Sequence, residues 1–149
     1  MAQGDFTFFN QFLLDEGLKL HNLNTDTIKL AYVDATITPT ASTADPRWGA
    51  GGTTNLSTNE VSGGNFTAGG NDITNTFSGT SPPTLDGADQ AYAANASNPS
   101  PVWGIVYNDT DSGKRAIGFY DMNGGSALDC TPGLNFNFNA SGIGTKTQS

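Results

Sequence analysis

The chain has one cysteine, Cys130, and one histidine, His21. A single cysteine excludes an intrachain disulfide and suits assembly in a reducing cytosol. One Cys with one His falls short of the roughly four Cys, His or acidic ligands that a zinc site gathers. It also leaves a hydrolytic triad with almost no choice of general base. Charge is scarce as well. Only 13% of residues are charged, about half the usual ~25%, and 6 Lys and Arg stand against 14 Asp and Glu, for a net charge of −8. No Lys or Arg lies between Arg47 and Lys114. Neutralising phosphates takes clustered cations, so no nucleic-acid partner is expected. Long apolar runs are missing too: near the N-terminus the longest clusters are Phe8-Phe9 and Phe12-Leu13-Leu14. Neither a signal peptide nor a membrane span is therefore expected. Five Asn-x-Ser/Thr sequons, at Asn55, Asn65, Asn95, Asn108 and Asn139, reflect an Asn- and Thr-rich composition, not glycosylation.

What the chain has instead is Asn, Thr, Ser and 19 Gly, residues that favour turns and loops over helices. At 149 residues it is long enough for one domain with a real core. The expected fold is mainly β: an antiparallel β-sandwich or small jelly-roll-like barrel with one N-terminal α-helix, as a single domain over 1–149. Residues 5–20 read as the helix, capped by Asp5, or as an extended arm in their first turns. Phe6, Phe8, Leu14 and Leu18 spread the apolar stripe beyond one face, so such a helix must be covered on most sides. The sandwich is expected over 25–145. Thr27–Val33 alternates as a strand, and Asp45-Pro46-Arg47-Trp48 reads as a turn with an exposed aromatic. A short strand is expected around Phe66 and another over Ile73–Phe77. Residues 79–101, rich in Pro and small residues, read as a long loop. Val102–Asp109 is the strongest strand, and a turn over 108–114 returns it into Ala116–Asp121 as a hairpin. Leu134–Asn139 alternates as the last strand, making six to eight in all.

Catalytic chemistry finds few carriers. His21, at the expected end of the helix, more readily contacts the last carbonyls than acts as a base. Cys130 lies beside Thr131-Pro132 with no nucleophile motif and reads as a small buried apolar residue. Asp86 and Asp89 could pair as glycosidase carboxylates, but they fall in the Gly- and Pro-rich loop. Asn108-Asp109-Thr110-Asp111-Ser112-Gly113 resembles the start of a calcium loop. The glycine comes one residue early, however, Tyr120 stands where the bidentate Glu belongs, and a hairpin turn explains the same residues. No enzyme activity, cofactor or metal is therefore expected. Binding surface is what remains. Phe6, Phe8, Phe9, Phe12, Arg47 and Trp48 are candidate interface residues, because aromatics and Arg concentrate at interface hot spots. The competing reading is that the phenylalanines roof the core.

Several segments together resemble small virion proteins of tailed bacteriophages. They are Phe6-Thr-Phe-Phe-Asn-Gln-Phe, Lys19-Leu-His-Asn-Leu, Thr25-Asp-Thr-Ile-Lys-Leu-Ala-Tyr-Val-Asp, Asn65-Phe-Thr-Ala-Gly-Gly and Val102-Trp-Gly-Ile-Val-Tyr-Asn-Asp. The pattern is similar to capsid decoration, or cement, proteins such as those of cyanophages, and covers about residues 4–140. The loop over 79–101 is more Pro- and Ala-rich than that pattern. The resemblance implies a homotrimer on the capsid exterior, assembled in the host cytoplasm, with the major capsid protein as partner and no membrane involved. A tail-fibre or receptor-binding module, stacking glycans on Trp48, Tyr92 or Trp103, is the alternative.

Overall fold

In the computed structural model, which describes residues 5–80, 82–138 and 142–145, one helix and twelve short strands follow in order. They are β1 (Thr7–Phe8), α1 (Asn10–Gly17), β2 (Ile28–Val33), β3 (Pro46–Arg47), β4 (Thr54–Asn55), β5 (Asn71–Asp72), β6 (Thr76–Ser78), β7 (Thr84–Asp86), β8 (Gln90–Tyr92), β9 (Trp103–Asn108), β10 (Ala116–Asp121), β11 (Leu134–Phe136) and β12 (Gly144–Thr145). A single 3-10 turn covers Leu56–Asn59. The protein is mainly β, with one helix, and the antiparallel sheets do not close into a barrel among the described residues.

The centre is a five-stranded antiparallel sheet in the order β1-β10-β9-β2-β5. Its three six-residue strands, β2, β9 and β10, are rich in β-branched and aromatic residues, which fit a pleated surface buried on both sides. One face carries Ile28, Leu30, Tyr32, Val106 and Tyr120. These pack with Ile73, Leu85, Tyr92, Phe136 and Phe138, contributed by the segments around the smaller sheets β8–β11 and β6–β7–β12. The other face carries Ala31, Val33, Ile105, Tyr107 and Phe119, which pack with Phe9, Trp48 and Leu56. Each fully buried Val, Leu or Ile here is worth about 1.5–3 kcal/mol against exposure. The arrangement is sandwich-like, and the predicted hairpin is present as β9 and β10, paired with one register shift between Ala116 and Gly118.

Several local expectations change. The helix runs over Asn10–Gly17 only, and its N-cap residue is Phe9, which makes no side-chain cap; Asp5 does not cap it. Residues 6–9 are extended instead. Thr7 and Phe8 pair with Phe119 and Gly118, and the Phe9 N–H donates to the Ile117 carbonyl at 3.0 Å. Glycine at 118 makes this possible, since a Cβ there would lie 2.3 Å from the Phe6 ring and 2.4 Å from the Thr7 carbonyl oxygen. Of the strand expected over Ile73–Phe77 only Thr76 and Phe77 are strand, in β6; residues 73–75 turn the chain from β5 to β6, Asp72 Oδ1 accepting the Thr74 N–H at 2.8 Å and Thr74 taking φ +49. The segment 79–101 is not one long loop, since it contains β7 and β8. Around Phe66 there is a single bridge to Gly63 in place of a strand. The strand expected over Leu134–Asn139, β11, stops at Phe136 and is followed by β12; Asn139 lies outside the described residues.

Candidate functional site

The residues flagged from sequence do not form one exposed surface. Phe9 and Phe12 are fully buried. Phe9 packs at 5.2 Å from Phe119, and Phe12 stacks at 5.2 Å on Phe8. Phe6 and Phe8 are half-buried and lie against the core. The expected exposure of Trp48 is corrected, because it is buried. Its N–H donates to the Lys114 carbonyl at 2.8 Å, and its ring stacks at 5.2 Å on Tyr107. A polar turn can hide an aromatic when its backbone is tied to a neighbouring strand. Arg47 forks onto Asp45, with Nε 3.0 Å from Oδ1 and Nη2 3.1 Å from Oδ2. Of the glycan-stacking candidates, Tyr92 is buried with Trp48, and Trp103 is half-buried with no hydrogen-bond partner for its Nε1.

The apolar surface that is exposed lies elsewhere. Helix α1 turns Phe12 and Asp15 inward and leaves Leu13, Leu14 and Leu18 outside at 57%, 56% and 61% exposure. Leu14 and Leu18 are one helical turn apart and share a face. In the sequence pattern Leu14 and Leu18 register only as excess width of a stripe. Their exposure follows from the helix being short and lying on the sheet by one side.

Beneath α1 is a buried polar cluster. Asp15 is only 2% exposed, and the His21 and Asp15 side chains are 0% and 3% exposed. Asn108 is fully buried at the end of β9. Its Oδ1 accepts the N–H groups of Thr110 and Asp111 at 3.0 and 3.1 Å. Its Nδ2 lies 2.6 Å from Asp26 Oδ2 and 3.1 Å from His21 Nδ1. Gln11 Nε2 donates to Asp15 Oδ1 at 2.9 Å. Asp15 Oδ2 lies 3.9 Å from His21 Nε2 and 3.9 Å from Arg115 Nε. Arg115 Nη1 grips Asp111 at 2.7 and 2.8 Å. A Cβ at Gly113 would meet Arg47 Nη1 at 2.6 Å and Arg115 Nη1 at 2.9 Å, so both guanidinium groups converge over this glycine. His21 thus does not contact the last helix carbonyls. Those of Asp15 and Glu16 already accept the Leu20 and Lys19 N–H groups. Desolvation lowers the His21 pKa below 6.5, against the pull of Asp15, Asp111 and Asp26.

The 108–113 segment is a turn whose acids face the chain's own cations. Asp109 meets Lys29 Nζ at 2.9 Å and Lys114 Nζ at 2.5 Å. Burial pushes its carboxyl up, but the two ammonium groups outweigh that and hold it below the ordinary carboxylate range. No group of three or more His, Cys, Asp or Glu among the described residues is arranged to hold a metal ion. Asp86 and Asp89 fix local backbone, their Oδ1 atoms accepting the Gly87 and Phe138 N–H groups, each at 2.8 Å. Cys130 is buried, and burial pushes its thiol up to about 11. No helix among the described residues is long and apolar enough to cross a membrane. The chain matches no protein-family model, and no curated protein or solved structure is significantly similar to it.

Proposed function

We propose that the chain is a structural virion protein that decorates and stabilises the outside of a tailed-phage capsid, bridging major capsid protein subunits as a homotrimer. The observation that carries this reading is the outer face of α1. Leu13, Leu14 and Leu18 are each more than half exposed on a chain of net charge −8 with few charged residues of either sign. Apolar groups gathered on an otherwise polar surface mark interaction sites. The resemblance of residues 6–12, 19–23, 25–34, 65–70 and 102–109 to decoration proteins supplies the identity of the partner.

The physical role is that of a clamp. Packed genome pressurises a shell, and a trimer spanning several capsid subunits adds contacts that must break before capsomers part. Interfaces of ordinary size bury about 1,200–2,000 Å², and three of them acting through one trimer combine by avidity. Preference for the expanded lattice would stabilise that state by differential affinity.

Light scattering on the purified chain tests the assembly. A species near three times 15.5 kDa is expected. The double variant Leu14→Asp, Leu18→Asp should keep its circular dichroism and lose trimer formation or binding to shells that lack the subunit. Quantitative mass spectrometry of purified particles should find hundreds of copies. A few copies per particle, or a monomer indifferent to the shells, would overturn the reading.

A further inference from the structure

His21 sits where several elements meet. Asp15 reaches it from α1, Asp26 from the turn ahead of β2, Asn108 from the end of β9, and Asp111 and Arg115 from the turn into β10. Arg47 of β3 stands close enough to Asp111 and Asp15 for their charges to act on it. The imidazole packs 5.2 Å from the Phe12 ring. Asn108 fixes which nitrogen carries the proton. Its Oδ1 is committed to two backbone N–H groups, so its amide nitrogen faces Asp26 and His21 Nδ1. Nδ1 must therefore be the acceptor, and the ring proton lies on Nε2. That atom faces Asp15 Oδ2 across 3.9 Å, and both are buried without a hydrogen-bond partner. A second proton can enter only at Nδ1, where it would meet the Asn108 amide donor against donor. Rotating Asn108 gives no relief, because the Thr110 and Asp111 N–H groups would lose their acceptor.

We infer that His21 is the pin of an acid-released latch: one proton taken up at Nδ1 breaks the Asn108 contact and frees α1 from the β9–β10 turn. Burial and Arg115 oppose the imidazolium, whereas Asp15, Asp111 and Asp26 favour it, and burial prevails. In the released state the ring is hydrated and titrates near its ordinary value of about 6.5. Opening therefore takes up a proton only between the folded value and that one. The opening constant is flat above pH 6.5 and rises up to tenfold per pH unit below it. It becomes flat again once the latched form is itself protonated. Release uncovers Phe12, which is buried when α1 is docked, beside leucines that are already exposed.

His21 is the only histidine, so one ring signal in the NMR spectrum of the whole chain reports it. The ring titration is measured from pH 8 to 4, together with hydrogen exchange corrected for its intrinsic pH dependence. The expected result is a ring pKa below 6.5. Protection across 10–17 and 109–115 should fall by up to tenfold per unit below pH 6.5, while the centres of β2 and β9 keep theirs. His21→Gln, whose carbonyl oxygen can still accept from Asn108, should lose the pH step. If that variant does not fold, Asp15→Asn serves, since it removes the leading charge that favours the imidazolium; it should lower the ring pKa and carry the lower end of the step to lower pH, while the onset stays near 6.5. A ring pKa at or above 6.5 would overturn the latch. So would protection that stays flat through the ring titration, a step of full size in His21→Gln, or a step whose lower end is unmoved in Asp15→Asn.

Discussion

Asn98 shows how much one polar side chain can hold. It is 6% exposed. Its Oδ1 accepts the Asn65 N–H at 2.9 Å, and its Nδ2 donates to the carbonyls of Ala93 and Cys130, each at 2.9 Å. Three loops far apart in sequence are thereby tied together, and Gly64 is needed beside it, since a Cβ there would lie 2.4 Å from Asn98 Oδ1. Asn98→Ala leaves the Asn65 N–H without its acceptor, while the Ala93 and Cys130 carbonyls each lose one donor and keep another, Asn65 Nδ2 and the Gly133 N–H. Urea unfolding should show a loss of about 1–3 kcal/mol, the cost of one buried group left unsatisfied. Nothing in the sequence marks this residue, which precedes Pro99 in a polar stretch. Pattern reading assigns such a residue to solvent, because hydrophobic periodicity carries no information on a polar group turned inward. Asp15 and Asn108 were hidden for the same reason. His21 was noticed for being alone, but Asn108, the partner of its Nδ1, comes from the end of β9, 87 positions away.

At the scale of elements, legibility followed length. β2, β9 and β10 each run for six residues, long enough for a strand pattern to show, and the pairing of β9 with β10 as a hairpin was readable, whereas the place of β2 beside β9 was not. Most of the other strands have two or three residues. They exist because a neighbouring segment supplies hydrogen bonds, not because their own residues insist. The helix was overextended at both ends. At the first, apolar residues at 6, 8 and 9 suit an amphipathic helix and an edge strand alike, and the open edge of β10 decides. At its other end α1 closes with a Schellman motif. The Leu20 N–H reaches the Asp15 carbonyl, and the Lys19 N–H reaches that of Glu16. Lys19 takes φ +60 there, a position that favours glycine. Lys19→Gly should therefore stabilise the protein by about 0.5–1 kcal/mol, read as a small rise in thermal midpoint. A fall would mean that the Lys19 side chain does more than cap.

For the whole molecule, acid acts through two groups in separate windows. Asp109 has a folded pKa below 3.8, so its ion pairs contribute fully above that value and are lost as pH falls through the lower, folded one. His21 has a folded pKa below 6.5, so its contribution is complete above 6.5 and shrinks below. The thermal midpoint should thus be level from pH 8 to 6.5, decline gently, and decline again below 3.8. A midpoint that rises on acidification from 6.5 would contradict the assignment at His21. Cys130 offers a matching probe. It is fully buried, and its thiol is held protonated by its surroundings, so a thiol reagent at pH 7 should react only as fast as the chain opens. Immediate labelling of the native protein would mean that the segment around residue 130 is open in solution.

The central sheet has a consequence in time. β2 is completed seventy positions before its partner begins, since Val33 pairs with Trp103, and β1 waits for Phe119. At roughly 5–20 residues per second of synthesis, the segment Ile28–Val33 leaves the ribosome roughly 4–14 s before β9 is made. For that interval its apolar residues lack β9, the strand paired along their whole length, and the phenylalanines ahead of it lack β10. Once β9 and β10 are out, the hairpin closes over a short local loop. Docking β2 must then overcome the entropy of a long one, which makes it the slow step. A newborn chain made in many copies would spend those seconds with its stickiest segments facing its neighbours. Its yield would depend on how quickly Trp103–Asn108 arrives.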